Sequence, residues 1–274
     1  MFSYQQYRPS PALADLVECY WVLHSPEGFL EAPDRLVPGG RVELMFNFAD
    51  PIYCLISEDS PKGVDMTGSF IMGQRSKVFY ARGSGKTDML GLRFKPGGLT
   101  AFTNMPVSSL LDTMVPAELV LGNDIKSWAA MLYEQQDDEA RIKLLDTLLL
   151  HSIKYIPADR PLMNHAIDTL RNSDEGTFIT SICNETGWYY KKLERLFLKN
   201  TGYTPKYYQK VVRFNKAIRL MHYSTPLTGI CYECNYFDQS HFIRDFRQFT
   251  GTTPTQFKKE GNKIATFLIK HQPV

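Results

Sequence analysis

The chain is poor in the features that mark secreted and membrane-spanning proteins. It has five cysteines in 274 residues, and an odd number with irregular spacing favours a reducing compartment over a disulfide framework. No run approaches the roughly 18 consecutive apolar residues of a membrane helix. The N-terminus also lacks the basic start and apolar core of a secretory signal. These absences predict a cytoplasmic protein.

Histidine is scarce in the first half, where His24 is the only one before His151. A metal-dependent β-barrel enzyme needs several histidine and carboxylate ligands on its strands. No serine or cysteine has an evident histidine partner for nucleophilic catalysis. We therefore expect no catalytic residue, no metal and no cofactor. The alternative is an enzyme or ligand-binding module with a β-barrel active site and a basic helical DNA anchor.

Negative and positive charge are unevenly distributed. Residues 1–159 contain 14 Lys and Arg against 20 Asp and Glu, a net charge of −6. Residues 160–274 contain 17 against 9, a net charge of +8. The basic half therefore suits a polyanion such as nucleic acid, whereas the acidic half does not.

The first hundred residues have the pattern of a β-rich domain. Short apolar runs at 19–23, 42–48 and 89–94 are bounded by glycine-containing turns. Strands of this length between such turns predict a small barrel or sandwich. We assign residues 1–106 to a sensor or dimerisation domain.

From about Val107 the pattern becomes helical, and residues 107–159 are predicted to form a helical connector. Asp137, Asp138 and Glu139 place negative charge where a helix N-terminus is stabilised by it. An apolar stripe follows at helical spacing: Ile142, Leu145, Leu149 and Ile153. Such a stripe is too apolar to be exposed, so it packs either on its own domain or on a second subunit, which would favour a homodimer.

The C-terminal half contains an internal repeat. Residues 179–188 align with 227–236 at an offset of 48, and one inserted residue later the offset becomes 49 and pairs Arg195 with Arg244. Each copy predicts a short helix, a tight turn and a second helix. Gly187 and Asn235 stand at the turns, where a left-handed backbone is expected. A Thr-Pro pair then begins the next helix in each copy.

A longer helix from about residue 205 to 223 separates the two copies. Its predicted buried side comprises Tyr208, Val211, Phe214, Ala217, Ile218 and Met221. Two helix-turn-helix units joined by one rigid helix are expected to enter successive major grooves of a DNA duplex.

The second helix of each unit is the expected recognition helix. After its core-facing positions are removed, the candidate base-contacting residues are Lys191, Glu194 and Arg195 in the first unit and Gln239, Ser240, Ile243 and Arg244 in the second. Arginine can donate two hydrogen bonds to guanine, glutamine can form two with adenine, and isoleucine can make an apolar contact with the thymine methyl group. The weaker candidates for phosphate contacts are Lys192, Lys199, Lys206 and Lys258.

Residues 236–246 and 251–257 resemble the signature of the AraC/XylS family of bacterial transcription regulators. The resemblance covers residues 160–260 and leaves 261–274 as a C-terminal tail. Asn235 stands where that family usually has glycine. The resemblance implies an all-α domain with two helix-turn-helix motifs, within an α+β chain.

The N-terminal part, through residues 35–48 and 91–98, resembles an uncharacterised cupin-like domain found before such DNA-binding domains. In the family, domains at this position sense small molecules or mediate dimerisation. Four aromatic residues are candidates for a ligand pocket, although aromatic residues on strands more often form core: Trp21, Phe46, Phe48 and Phe94.

The resulting hypothesis is a transcription regulator that binds double-stranded DNA. A small-molecule effector and a homodimer remain open as partners, and RNA polymerase becomes a partner if the chain is an activator. The Cys231 and Cys234 pair is spaced like a metal or redox motif, but zinc would need two further ligands at standard spacing. We expect Cys231 to be packed in the core and Cys234 to be incidental.

Overall fold

A computed structural model describes residues 3–60, 62–172, 178–222 and 226–260. Within these ranges the chain forms ten β-strands followed by ten α-helices. The α+β class and the division into a β-rich first half and a helical second half are therefore confirmed. None of the helices within these ranges is long and apolar enough to cross a membrane.

Six strands form the larger of two antiparallel sheets, in the order β1-β2-β9-β4-β7-β10. Their bounds are β1 Ser3–Tyr7, β2 Val17–Ser25, β4 Glu43–Asn47, β7 Gly68–Met72, β9 Thr87–Phe94 and β10 Met114–Pro116. The last strand lies within the expected helical connector and pairs with β7, so the connector also completes the sheet.

Four strands form the second sheet, in the order β3-β8-β5-β6. Their bounds are β3 Leu30–Leu36, β5 Tyr53–Leu55, β6 Val64–Asp65 and β8 Phe79–Gly83. Buried residues of both sheets share one apolar cluster, which includes Met45 and Met89 of the larger sheet and Leu36 and Ala81 of the smaller one. The two sheets therefore face each other as a sandwich.

The strand register decides which side chains of the larger sheet face the second sheet. Trp21 and Met45 both lie opposite Gly91 on their neighbouring strands, so they share the face that lines the sandwich interior. Successive residues alternate between faces, and Phe46 accordingly belongs to the cluster on the other face. That other face is covered by helices.

Helices α1 Glu118–Leu121, α2 Ile125–Tyr133 and α3 Asp138–Ser152 cover this outer face. Asp137 caps α3 by accepting a hydrogen bond from the Ala140 amide at 2.8 Å. Ile142, Leu145 and Leu149 are buried against the sheet of their own domain. The apolar stripe is thus satisfied within one chain and gives no support for a homodimer.

The helical half begins with α4 Arg160–Asn172 and continues with α5 Phe178–Thr186, α6 Tyr190–Thr201, α7 Pro205–His222, α8 Leu227–Glu233, α9 Gln239–Thr250 and α10 Pro254–Glu260. The six predicted apolar residues of α7 are all buried. Around α7 the helices share a second core, which includes Phe197 of α6 and Phe246 of α9. The long helix between the two repeat copies is therefore the central element of this half.

Candidate nucleic-acid interface

The first helix-turn-helix unit consists of α5, a turn at Gly187 and α6. Gly187 has a φ of 68°, a left-handed backbone that glycine adopts without cost. On α6, Leu193 and Phe197 are buried in the core, whereas Lys191 and Arg195 are exposed. Glu194 is half-buried and accepts a weak hydrogen bond from the Tyr190 hydroxyl at 3.4 Å.

The second unit consists of α8, a turn at Asn235 and α9. Asn235 has a φ of 53°, so the predicted left-handed turn is present with asparagine in place of glycine. Asp238 caps α9 by accepting a hydrogen bond from the His241 amide at 2.6 Å. Of the predicted contact residues on this helix, Gln239, Ser240 and Arg244 are exposed, while Ile243 is half-buried and packs against the core.

The second recognition helix is fixed to α7 by a buried ion cluster. Asp245, 4% exposed, lies 2.9 Å from Lys210 Nζ and 3.1 Å from an Arg213 guanidinium nitrogen. The Arg213 guanidinium also stacks over the Tyr236 ring at 4.4 Å. Removing one partner of such a buried pair leaves an uncompensated charge, so this cluster keeps α9 in one orientation relative to α7. No local sequence pattern predicts this cluster.

The Thr-Pro caps predicted at the start of α7 and α10 are present. Thr204 accepts a hydrogen bond from the Tyr207 amide at 3.3 Å, and Thr253 accepts one from the Gln256 amide at 3.2 Å. Of the lysines assigned to phosphate, Lys199, Lys206 and Lys258 are exposed. Lys192 is half-buried because its ammonium lies over the Trp188 ring at 5.1 Å.

Two exposed aromatic side chains precede the recognition helices and are not among the contact residues predicted from the sequence. Tyr189 is 66% exposed and Phe237 is 92% exposed. The repeat offset of 48 makes them equivalent positions, and this equivalence was the available signal. Both side chains thus lie largely in solvent next to the start of a recognition helix.

Cys231 and Cys234 are both buried, as free thiols. Burial raises the pKa of Cys234 to about 11 and also raises the pKa of Cys231. Because the thiolate is the reactive and metal-binding form, both thiols are protonated at neutral pH and act as core residues. The expectation for Cys231 is confirmed, and Cys234 is a second core residue. The described residues contain no cluster of metal-binding side chains.

The N-terminal sandwich encloses a cavity of about 90 Å³ between its two sheets. Trp21, one of the four aromatic residues assigned to a pocket, lines it. The other three do not: Phe46 and Phe94 are buried on the opposite face of the sheet, and Phe48 packs beside that core against Tyr133. The assignment is wrong for these three because strand alternation places them on the helix-covered face.

The two halves of the chain meet through buried polar contacts. Arg160, at the start of α4, donates hydrogen bonds to the carbonyls of Gly97, at 2.9 Å, and Asp15. The Tyr203 hydroxyl donates to the Arg75 carbonyl at 2.6 Å, and the Tyr207 hydroxyl to the Ser76 carbonyl at 2.9 Å. The segment after β7 therefore contacts the start of α7 directly.

Two protein-family models match the chain. Residues 182–260 match a helix-turn-helix domain, and residues 5–116 match a domain of unknown function, DUF6597. The helix-turn-helix match spans both repeat copies, with their turns and recognition helices. This match supports the resemblance of the C-terminal residues to AraC/XylS regulators.

Two curated relatives align with part of the chain. The chain is 33% identical to the regulatory protein ada of Salmonella typhimurium over 73 residues, which is 27% of this chain and 21% of that protein. It is 29% identical to the HTH-type transcriptional activator RhaR of Salmonella dublin over 129 residues, 44% of this chain and 45% of that protein. The chain thus aligns with less than half the length of either relative.

Among solved structures, ToxT from Vibrio cholerae resembles the chain with a TM-score of 0.49 and 10% sequence identity. The superposition covers 93% of this chain and 97% of ToxT.

Proposed function

We propose that the chain is a sequence-specific DNA-binding transcription regulator that places α6 and α9 in two successive major grooves. The observation that supports this most directly is the repeat itself. Arg195 and Arg244 are exposed at equivalent positions of two helices whose apolar faces are buried around one common helix, α7. Guanidinium groups on recognition helices are the commonest readers of guanine in the major groove.

The contact residues in this proposal are the seven that the sequence predicted, but two of them are less accessible than the other five. Lys191, Arg195, Gln239, Ser240 and Arg244 are free to approach base edges because their side chains are exposed. Glu194 and Ile243 are half-buried and present only part of their side chains to a groove.

The backbone contacts are proposed to come from lysines and from the two exposed aromatic residues. Lys199, Lys206 and Lys258 supply positive charge to phosphates, whereas Lys192 is already engaged by Trp188. Tyr189 and Phe237 would pack against sugar or thymine methyl groups at the start of each recognition helix. Double-stranded DNA is thus the proposed partner, with RNA polymerase added if the chain activates transcription.

The N-terminal domain is proposed to hold a small-molecule effector, because Arg75 both lines its cavity and contacts Tyr203 of the DNA-binding domain through its carbonyl. The cytoplasm is the compartment that this function requires. We propose no catalytic step.

Selection of bound sequences from random DNA duplexes tests the function. We expect the full chain to enrich a site with two conserved sub-sites separated by about 10 base pairs. The matched control is the double variant Arg195→Ala with Arg244→Ala, which should enrich no sequence while remaining folded. Enrichment of the same site by that variant, or no enrichment by the native chain, would contradict the proposal.

A further inference from the structure

The wall of the cavity in the sandwich is mainly apolar, and several of its side chains are flexible. Four methionines line it, together with Trp21 and Phe29: Met45, Met66, Met72 and Met89. Its volume of about 90 Å³ is below the roughly 150 Å³ that holds a benzene ring in a rigid core. Methionine is unbranched and adapts its shape to a neighbour, so this wall can widen around a single ring or a short chain.

Arg75 is a buried cation in this wall and is only 7% exposed. Its Nε and one terminal nitrogen donate hydrogen bonds to the Val37 carbonyl, at 3.2 and 2.9 Å. Its other terminal nitrogen faces the Met72 thioether, a weak acceptor. No carboxylate among the described residues forms an ion pair with Arg75, although buried guanidinium groups normally have such a partner.

The other charged residue of the cavity wall does not compensate Arg75. Glu43 accepts a hydrogen bond from Arg93 Nε at 3.0 Å. Arg93 is also 3.9 Å from Glu18, which pairs with Arg41. These two carboxylates and two guanidinium groups balance one another, so the charge of Arg75 is in excess. A buried, uncompensated cation costs free energy, and an anion in the cavity would remove that cost.

We propose that the cavity binds a small apolar monocarboxylate, either aromatic or short-chain aliphatic. The carboxylate would pair with Arg75, and the hydrocarbon part would lie against Trp21 and the methionines. A further donor is available in the wall, because Trp21 Nε1 is buried without a hydrogen-bond partner. The wall thus combines apolar side chains with the excess positive charge of Arg75, and the carboxylate of Glu43 in the same wall is already paired with Arg93. The excess positive charge selects acids over amines.

Arg75 also connects the cavity to the DNA-binding domain, and this part of the inference rests on the proposed function. The Arg75 carbonyl accepts the hydrogen bond from Tyr203. Its guanidinium holds the carbonyl of Val37, a residue that packs in the core of the helical half. A carboxylate that draws the guanidinium away from Val37 would change contacts on both sides of the domain boundary, so the acid would alter DNA affinity.

Calorimetric titration of the full chain tests the ligand class. The probes are benzoate, phenylacetate and hexanoate, compared with the neutral benzamide and the cationic benzylamine. We expect at least one acid to bind about tenfold or more tighter than benzamide, as a charge-assisted hydrogen bond would provide, and benzylamine to bind weakest. Arg75→Gln should abolish the preference for the acid.

Two variants serve as controls. Lys86→Gln removes an exposed positive charge from the same domain and should bind the acid as the native chain does. Ala81→Met fills the cavity that Ala81 lines and should lose all probes while Arg75 is intact. If Arg75→Gln does not fold, the comparison of acid with amide and the Ala81→Met variant decide the question.

The inference is overturned if no acid of the panel binds, if benzamide binds as tightly as benzoate, or if folded Arg75→Gln retains the preference. Its failure is separable from failure of the proposed function. Specific DNA binding without acid binding refutes only the ligand assignment. Acid binding without specific DNA binding refutes only the regulator.

Discussion

At the scale of single residues, the exposed arginines of the recognition helices differ from the lysines in the groups of DNA that they recognise. A guanidinium can donate two hydrogen bonds to guanine, whereas an ammonium at the surface mainly neutralises phosphate. Arg195 and Arg244 stand on separate helices, so each should determine a different part of the site. Lys258 lies outside both recognition helices, in α10.

We therefore expect Arg195→Ala and Arg244→Ala each to cost about 1–3 kcal/mol of binding free energy and to relax preference at different, separated base pairs. Lys258→Ala should weaken all sequences about equally and reduce the salt slope by about 0.9. Competition binding against single-base variants of the selected site, at several salt concentrations, measures both effects. If both arginine variants lost base preference at the same base pair, the assignment of each arginine to a different part of the site would be contradicted.

A second residue-scale prediction concerns the cavity wall. A Cβ at Gly91 would lie 2.0 Å from the Trp21 ring, so the absence of a side chain there is what permits the indole to pack flat on the strand. Gly91→Ala should displace Trp21 and destabilise the sandwich by about 1–3 kcal/mol, as overpacked cores are. Gly122→Ala cannot serve as the control, because Gly122 has a φ of 104°, a backbone conformation that is strained for a residue with a side chain. Ser84→Ala, at an exposed turn, should leave the unfolding midpoint unchanged.

At the scale of helices and strands, the repeat made the helical half predictable, because the same pattern occurs twice. The bounds of α6, α7 and α9, the buried face of α7, the turns at Gly187 and Asn235 and the cap at Asp238 all follow local rules. The pocket residues were not predictable in this way. Whether Trp21 and Phe46 share a face depends on the register between β2, β9 and β4, which no single strand specifies.

The ion cluster between α7 and α9 is also non-local, because Asp245 meets residues more than thirty positions earlier in the chain. Asp245→Ala should cost about 3 kcal/mol of stability, since it leaves Arg213 buried without its carboxylate. Asp238→Ala removes only a helix cap and should cost about 1 kcal/mol. Chemical denaturation compares the two variants. Equal losses would show that the cluster contributes no more than a cap.

At the scale of the whole molecule, the cavity and the recognition helices are joined through the segment after β7. Tyr203→Phe removes the hydroxyl that binds the Arg75 carbonyl at 2.6 Å without changing a residue of either recognition helix. We expect the variant to bind the selected DNA site with near-native affinity but to respond less to a bound acid. Titration of DNA binding with and without benzoate measures the coupling. A full response in Tyr203→Phe would rule out this route.

The rigidity of the double helix-turn-helix leads to a geometric prediction about the DNA site. Helix α7 is buried along one side and bound to α9 by Asp245, so α6 and α9 should keep a fixed separation. Equivalent points of successive major grooves lie about 34 Å apart on one face of the duplex. One chain should therefore protect roughly twenty base pairs, which is about two turns of the duplex at that repeat, and bending of the DNA would improve the fit.

Inserting about five base pairs, half a helical turn, between the two sub-sites turns one of them to the far side of the duplex. A rigid α7 cannot place both recognition helices on sub-sites that lie on opposite sides of the duplex. Protection of one sub-site should therefore be lost, and the affinity for DNA should fall toward that of a single helix-turn-helix unit. Inserting about ten base pairs restores the face but doubles the separation, and should not recover binding. Footprinting of the three duplexes distinguishes the cases. Full occupancy of both sub-sites by one chain after the shorter insertion would mean that the two helix-turn-helix units move independently.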